Sequence, residues 1–168
     1  MTLNTTISQA EHLSEEALTR YVIESTKEVF STMVMMEVTD ALPLTESVTH
    51  FHCSITGMVG LAGKYSGMLS IHCPRQFALQ ITSNMLGMPV EDVGDDVNDA
   101  LGEIANMLGG SVKQILSKGG LDISLSIPTV ISGEEYTINS MNDSDCVVIP
   151  FESDDLRFLV SLKLSKEG

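Results

Sequence analysis

The fold is decided by residues 50–72, which read HFHCSITGMVGLAGKYSGMLSIH. Apolar and small residues alternate with polar ones in two consecutive runs, with Phe51, Cys53, Ile55, Gly57 and Val59 on one face of the first run. The second run places Tyr65, Gly67, Leu69 and Ile71 on one face. A period of two is typical of β-strands, and Ala62 and Gly63 lie between the runs. The pattern therefore predicts an antiparallel hairpin.

Helical patterns flank this hairpin on both sides. Ser14 is a suitable N-cap for a long helix over 15–36, whose apolar stripe includes Leu18, Val22, Val29, Met33 and Met36. Pro74 suits the start of a second helix, which Gly87 and Pro89 end. A third helix, over about 96–118, begins near Asp95 or Asp96 and stops at Gly119 and Gly120. Its stripe consists of Val97, Leu101, Ile104, Leu108, Val112 and Ile115.

The C-terminal third returns to strand patterns. Strands are predicted over 121–127, 146–151 and 156–164, with a turn over 128–133. Pro43 favours an edge strand and a loop within 37–49. The order of elements predicts an α+β fold, in which helices pack on a mainly antiparallel sheet. Residues 1–13 are expected to form a flexible tail and residues 14–168 a single domain.

The charge of the chain narrows the classes of partner. Its 168 residues include 9 basic and 23 acidic ones, a net charge of −14. Such an acidic surface repels phosphate backbones and anionic lipid, which argues against a nucleic-acid-binding or membrane-surface role. No apolar run approaches the roughly 20 residues that span a bilayer, and the N-terminus is polar. A cytoplasmic protein is expected.

Cysteines and histidines offer two further candidate sites. Cys53, Cys73 and Cys146 are odd in number and lie in apolar contexts, so they are expected to be reduced, buried thiols. The spacing of His50 and His52 suits a metal site, for which His72 on the next strand could be a third ligand. A polar or interfacial sheet face is the simpler interpretation of these histidines, and we favour it.

The third helix carries the candidate functional face. At about 100° per residue, Glu103 and Asn106 lie side by side opposite the apolar stripe. Asp99 and Gly110 share that face, and Gly102 and Gly109 flank it. The glycines would keep the helix surface low enough for another protein to approach closely. They could equally serve tight helix packing, and an exposed Glu and Asn could be ordinary solvated residues.

Residues 99–110, DALGEIANMLGG, resemble the active-site helix of the CheC/CheX phosphatase family. The segments SIPTVISG at 126–133 and VIPF at 148–151 are similar to later family segments in the same order, and the resemblance covers roughly residues 15–165. CheC proteins usually carry two Glu-x-x-Asn helices, so the single one here is typical of the CheX branch. Ser111 departs from the family by standing where an asparagine is expected.

The resemblance implies a phosphatase that acts on the aspartyl phosphate of a CheY-like response regulator in chemotaxis. Asn106 would position the attacking water, and Glu103 would pair with a lysine of the regulator. The regulator would supply Mg²⁺, so no cofactor or metal is expected on this chain. A homodimer is also implied. The alternative is a non-catalytic module that binds a chemotaxis or flagellar-switch protein through the same helix.

Overall fold

A computed structural model describes residues 14–41, 49–117, 122–139 and 145–166. Within these residues the chain forms three α-helices, α1 (Glu15–Val29), α2 (Arg75–Leu86) and α3 (Asp95–Leu116), and a π-helical turn at Phe30–Val34. The strands are β1 (Thr39–Asp40), β2 (His50–Gly63), β3 (Tyr65–Pro74), β4 (Ile123–Leu125), β5 (Thr129–Thr137), β6 (Asp145–Ser153) and β7 (Leu156–Lys166). The predicted tail 1–13, Pro43, Gly119 and Gly120 lie outside the described residues.

The described strands form one sheet in which every pair is antiparallel. The order is β1-β6-β7-β3-β2, and β2 pairs on its other side with both β4 and β5. All three helices pack against this sheet, as the predicted α+β fold requires. None of the described helices is both long and apolar enough to cross a membrane.

The hairpin of β2 and β3 is the centre of the sheet, and its tight turn depends on Gly63. In the register of this pair Gly57 lies opposite Ile71 and Leu61 opposite Gly67. Gly63 has a φ of 134°, and a Cβ there would lie 2.1 Å from the carbonyl oxygen of Asp122. Only glycine fits this backbone and this close approach. The predicted hairpin is confirmed.

The core lies between the sheet and the helices. Four fully buried or nearly buried phenylalanines form its centre, and the ring of Phe158 lies 4.8 Å from those of Phe30 and Phe77 and 5.2 Å from that of Phe151. These rings join the π-helical turn, α2, β6 and β7, so one apolar cluster holds these elements together.

The first helix ends differently from the prediction. Met33 was expected in the apolar stripe but is 40% exposed, whereas Phe30 and Val34 are fully buried. The chain forms a π-helical turn at Phe30–Val34 and leaves it at Met35, which has a φ of 58°. A π-turn holds more residues per turn than an α-helix, so it rotates the following side chains away from the stripe.

Two predictions in the β-regions are wrong. Cys53 is exposed and has a φ of 45°, so it is not a buried thiol, although Cys73 is buried. The side chain of Cys146 lies outside the described part of the chain. The residues predicted as a turn over 128–133 mostly belong to β5, because they pair with β2 from Thr129 onward. The preceding strand is correspondingly short, since β4 covers only Ile123–Leu125.

A buried polar cluster occupies the sheet face away from α3. The hydroxyl of Thr56 lies 2.8 Å from both Nδ1 of His72 and the hydroxyl of Tyr136, and Nε2 of His72 lies 3.1 Å from Oγ of Ser161. Phe51 stacks on His72 with ring centroids 4.2 Å apart. Simple alternation predicts that Phe51 and Ile55 share a face, and the structure shows that they do not. The left-handed residue Cys53 interrupts the alternation between them.

Candidate functional site on the exposed face of the third helix

Close packing against β2 determines how α3 lies on the sheet. A Cβ on Gly57 would lie 2.7 Å from the carbonyl oxygen of Leu101, and a Cβ on Gly109 would lie 2.6 Å from Cγ1 of Val59. The helix backbone thus touches the strand at two points about two turns apart. Val97, Leu101, Ile104, Leu108 and Val112 are buried as predicted, and Leu116 rather than Ile115 ends the buried stripe.

The opposite face of α3 presents Glu103 and Asn106 to solvent. Both residues are exposed, and the helix places them three positions apart on neighbouring turns. Within the described part of the chain, neither side chain takes part in a hydrogen bond or ion pair. None of the described residues occupies their polar atoms, so a carboxylate and an amide are available side by side to a partner.

Glu103 and Asn106 lie in an open depression of about 600 Å³ between α3 and the start of β5. Three of its lining residues, Asn98, Pro128 and Val130, were not singled out from the sequence. The full lining is Asn98, Asp99, Gly102, Glu103, Asn106, Pro128 and Val130. Because the depression is shallow and open to solvent, it suits a surface of another protein better than an enclosed small ligand.

The three glycines of α3 differ in what they contact. Gly109 is required for packing, because a Cβ there would overlap Val59. At Gly102 a Cβ would lie in ordinary contact, 3.6 Å from Cβ of Pro128 and 3.7 Å from Cγ2 of Val130. At Gly110 a Cβ would meet nothing within 4 Å. Gly110 follows Asn106 by one turn, so the helix surface beside Asn106 carries no side chain there. Packing against the described residues does not require a glycine at this position.

Ser111, where the family resemblance led us to expect an asparagine, is directed into its own helix. Its hydroxyl donates a 3.2 Å hydrogen bond to the carbonyl oxygen of Met107, and the residue is half-buried. A serine bonded in this way to the preceding turn is satisfied within the helix. Ser111 therefore does not add a free polar group beside Asn106.

The electrostatic character of this face is acidic. Asp95, Asp96, Asp99 and Glu103 are all exposed on α3, and no described cation forms an ion pair with any of them. Four carboxylates along one exposed face produce a negative potential that attracts a cationic group of a partner. Glu103, which lines the depression, is the carboxylate placed to meet such a group beside Asn106.

The histidines do not converge as the metal hypothesis required. His72 is buried in the polar cluster, while Nε2 of His50 and Nδ1 of His52 lie 3.3 and 3.9 Å from Oε1 of Glu135 on β5. Burial, with a smaller contribution from the nearby positive charge of Lys163, lowers the pKa of His72 to about 4. Across the described ranges, no three His, Cys, Asp or Glu side chains form a group that could hold a metal ion.

Comparison with known proteins places the chain beside chemotaxis phosphatases. A family model described as chemotaxis phosphatase CheX matches residues 55–152, more than half of the chain. The curated CheY-P phosphatase CheX of Thermotoga maritima is 28% identical over 120 residues, which cover 71% of this chain and 77% of that protein. The matched segment of the family model includes most of the hairpin and all of α3 and β5.

Solved structures show the same architecture. The chemotaxis protein CheX of Vibrio vulnificus superimposes with a TM-score of 0.77 at 28% identity, covering 86% of this chain and 97% of that one. The chemotaxis protein CheX of Desulfovibrio desulfuricans superimposes with a TM-score of 0.78 at 28% identity, covering 88% of this chain and 99% of that one. These chains are similar to the present one over nearly their whole length.

Proposed function

The chain belongs to the chemotaxis phosphatase CheX family, and from this membership we propose that it hydrolyses the aspartyl phosphate of a CheY-like response regulator. The family resemblance predicted from the sequence is confirmed. The Thermotoga relative is named for the same substrate, CheY-P. The observation that carries the proposal is the pair Glu103 and Asn106, exposed side by side on α3 with no partner within the described chain.

In the proposed reaction, water attacks the phosphorus atom, the bond between phosphorus and the aspartyl oxygen breaks, and inorganic phosphate leaves. Hydrolysis of an acyl phosphate needs in-line positioning of water and neutralisation of phosphoryl charge more than covalent chemistry. The amide oxygen of Asn106 would accept a hydrogen bond from the attacking water. A short side chain on an exposed helix can do this only if the regulator docks closely, and the open position at Gly110 permits such an approach.

Glu103 has a different role in this proposal. Its carboxylate would pair with a lysine of the regulator and fix the register in which α3 docks. That lysine is already present before the transition state, so Glu103 would act mainly on binding. The regulator would also supply Mg²⁺ for the phosphoryl group, and this chain would contribute no metal or cofactor of its own.

The proposal extends to assembly and location. We propose a cytoplasmic protein that forms a homodimer, since β1 is a sheet edge among the described strands, and an edge of this kind can pair between subunits. Sedimentation at micromolar concentration should then give about twice the chain mass of 18.2 kDa. A monomer at that concentration would remove the dimer without affecting the catalytic proposal.

The direct test of function is the decay of phosphorylated CheY-like regulators in the presence of purified protein. We expect decay to be accelerated with multiple turnovers for the cognate regulator. Binding to a regulator without any acceleration would instead favour the non-catalytic module. Absence of both binding and acceleration across regulators from the same organism would contradict the proposed phosphatase function.

A further inference from the structure

Ile127 is an apolar side chain placed in solvent beside the candidate site. It is 87% exposed, which makes it the most exposed of the large hydrophobic residues in the described part of the chain. The next most exposed, Met35 at 69% and Met88 at 60%, are flexible methionines. Single exposed apolar side chains are common on protein surfaces, so the significance of Ile127 depends on its position and on how the backbone holds it.

A β-bulge between β4 and β5 directs Ile127 outward. Leu125 lies opposite Leu61 of β2, and Thr129 lies opposite Met58. Residues 126–128 therefore face only two residues of β2, 59 and 60, so one residue is extra. Bulges of this kind turn a side chain away from the regular alternation of a strand. The bulge explains why residue 127 leaves the sheet although the alternation of the sequence continues through it.

Hydrogen bonds hold the bulge in one conformation. The amide of Ser126 donates to the carbonyl oxygen of Gly60 at 2.9 Å, and the amide of Gly60 donates to Oγ of Ser126 at 2.8 Å. The same hydroxyl donates to the carbonyl oxygen of Ile127 at 3.0 Å. Pro128 then restricts the backbone on the other side. Ile127 is thus presented from an anchored turn, which reduces the entropy lost when a partner covers it.

The turn adjoins the depression that contains the catalytic candidates. Pro128 and Val130 line that depression together with Glu103 and Asn106, and they lie directly over Gly102 of α3. For Asn106 to reach a phosphoryl group in another protein, that protein must contact α3. A folded domain that does so also approaches Pro128 at the rim of the depression, and Ile127 is the chain neighbour of Pro128.

We infer that Ile127 is an apolar anchor of the docking surface for the phosphorylated regulator. This inference rests on the proposed function. The partner would carry an apolar side chain near its phosphoaspartate, beside the cationic group that meets Glu103. A small acyl phosphate has no such surface, so Ile127 would favour a protein substrate. Burial of one aliphatic side chain at an interface contributes enough free energy to change affinity by about tenfold.

The test uses Ile127→Ala and Ile127→Leu in the full chain, with Met88→Ala as the matched control. Met88 is exposed on a separate depression beside α2, so its truncation removes a similar volume of apolar side chain away from the site. Steady-state dephosphorylation of the cognate phosphorylated regulator gives kcat and KM for each variant. Binding of the same regulator is measured separately with beryllofluoride as a phosphoryl mimic. Melting temperatures show that each variant is folded.

We expect Ile127→Ala to raise KM and Kd by about tenfold and to leave kcat within about twofold, while Ile127→Leu and Met88→Ala behave as wild type. If wild type turns over and Ile127→Ala leaves KM and Kd unchanged, the role of Ile127 is wrong while the proposed function stands. An equal rise with Met88→Ala would also overturn that role, because the effect would not be specific to the rim. A wild-type protein that neither binds nor dephosphorylates any regulator would contradict the proposed function first.

Discussion

Two groups of polar side chains in this molecule differ in whether the fold provides their partners. His72, Thr56 and Ser161 lie on the sheet face away from α3, are buried, and bond to one another. Glu103 and Asn106 are exposed on α3 and have no partner within the described residues. Buried polar groups must be satisfied or they destabilise the fold, whereas exposed ones need not be. The first group therefore serves stability, and the second is free for a partner.

Acid should destabilise the fold through the buried group, because burial lowers the pKa of His72 from its ordinary 6.5 to about 4. This is the largest effect we expect. The imidazole of His72 binds a proton more readily in the unfolded chain than in the folded one. The contribution of neutral His72 to the free energy of unfolding is therefore fully present above pH 6.5 and is lost as pH falls towards 4. The expected loss over that window is roughly 3 kcal/mol at most. It is measured by denaturant unfolding of wild type and His72→Gln across this range of pH.

The slope of unfolding free energy against pH is compared between wild type and His72→Gln. The two proteins have the same carboxylates, so the difference between their slopes gives the contribution of His72. His72→Gln should show a flatter dependence of unfolding free energy on pH. His52→Gln is the matched control, since the side chain of His52 is 72% exposed, and it should keep the wild-type slope. Equal slopes for wild type and His72→Gln would show that the buried cluster does not contribute in this way.

Replacement of Glu103 should affect binding and leave stability unchanged. Glu103→Ala should raise KM by about tenfold, as expected for loss of one charge-assisted contact, with a change in unfolding free energy of about 0.5 kcal/mol or less. Glu103→Gln should recover part of the loss, because it retains a hydrogen-bond acceptor without the charge. Steady-state kinetics with the phosphorylated regulator measure both effects.

The control for Glu103 is Asp96→Asn, which removes the same charge from an exposed position on the same helix. Asp96 does not line the depression, so this variant should retain the wild-type KM. If Asp96→Asn raises KM as much as Glu103→Gln does, the effect of Glu103 is one of net charge and not of a specific pair.

The smallest expected effect is on stability and concerns Gly109 and Gly110, which are adjacent on α3. It shows which glycine is needed for packing and which leaves room for a partner. Gly110→Ala should stabilise the protein by up to about 1 kcal/mol, because alanine favours the helix and its Cβ meets open space. Gly109→Ala should destabilise it by about 1 kcal/mol through overlap with Val59. Thermal or chemical unfolding gives the two signs, and regulator affinity should fall for Gly110→Ala. Stabilisation by both substitutions would refute the distinction.

Periodicity explains which parts of this structure could be predicted. The hairpin and the buried stripe of α3 follow from spacings of two and about 3.6 residues, and the position of Glu103 and Asn106 opposite that stripe follows with them. The features that sequence alone missed are local departures from periodicity. The π-turn at Phe30–Val34, the left-handed Cys53 and the bulge at 126–128 each shift side chains by about one position.

The glycines show a second limit of sequence reasoning. Tight packing and open access were equally good explanations of Gly102, Gly109 and Gly110, because both need a residue without a side chain. Only the positions of neighbouring atoms separate the two explanations: Val59 packs against Gly109, whereas the space beside Gly110 is open. The role of Ile127 was hidden for the same reason, since its exposure depends on a register shift relative to β2 that alternation does not reveal.

The most direct test of the account compares Asn106→Ala with wild type in two measurements on one regulator: the decay rate of its phosphoryl group at saturating phosphatase, and its affinity in the beryllofluoride-bound form. A residue that orients water acts only on the transition state, so the saturated rate should fall by about 10²-fold or more while affinity and melting temperature stay unchanged. Full activity of Asn106→Ala, or a loss explained entirely by weaker binding, would contradict the proposal that α3 positions the attacking water.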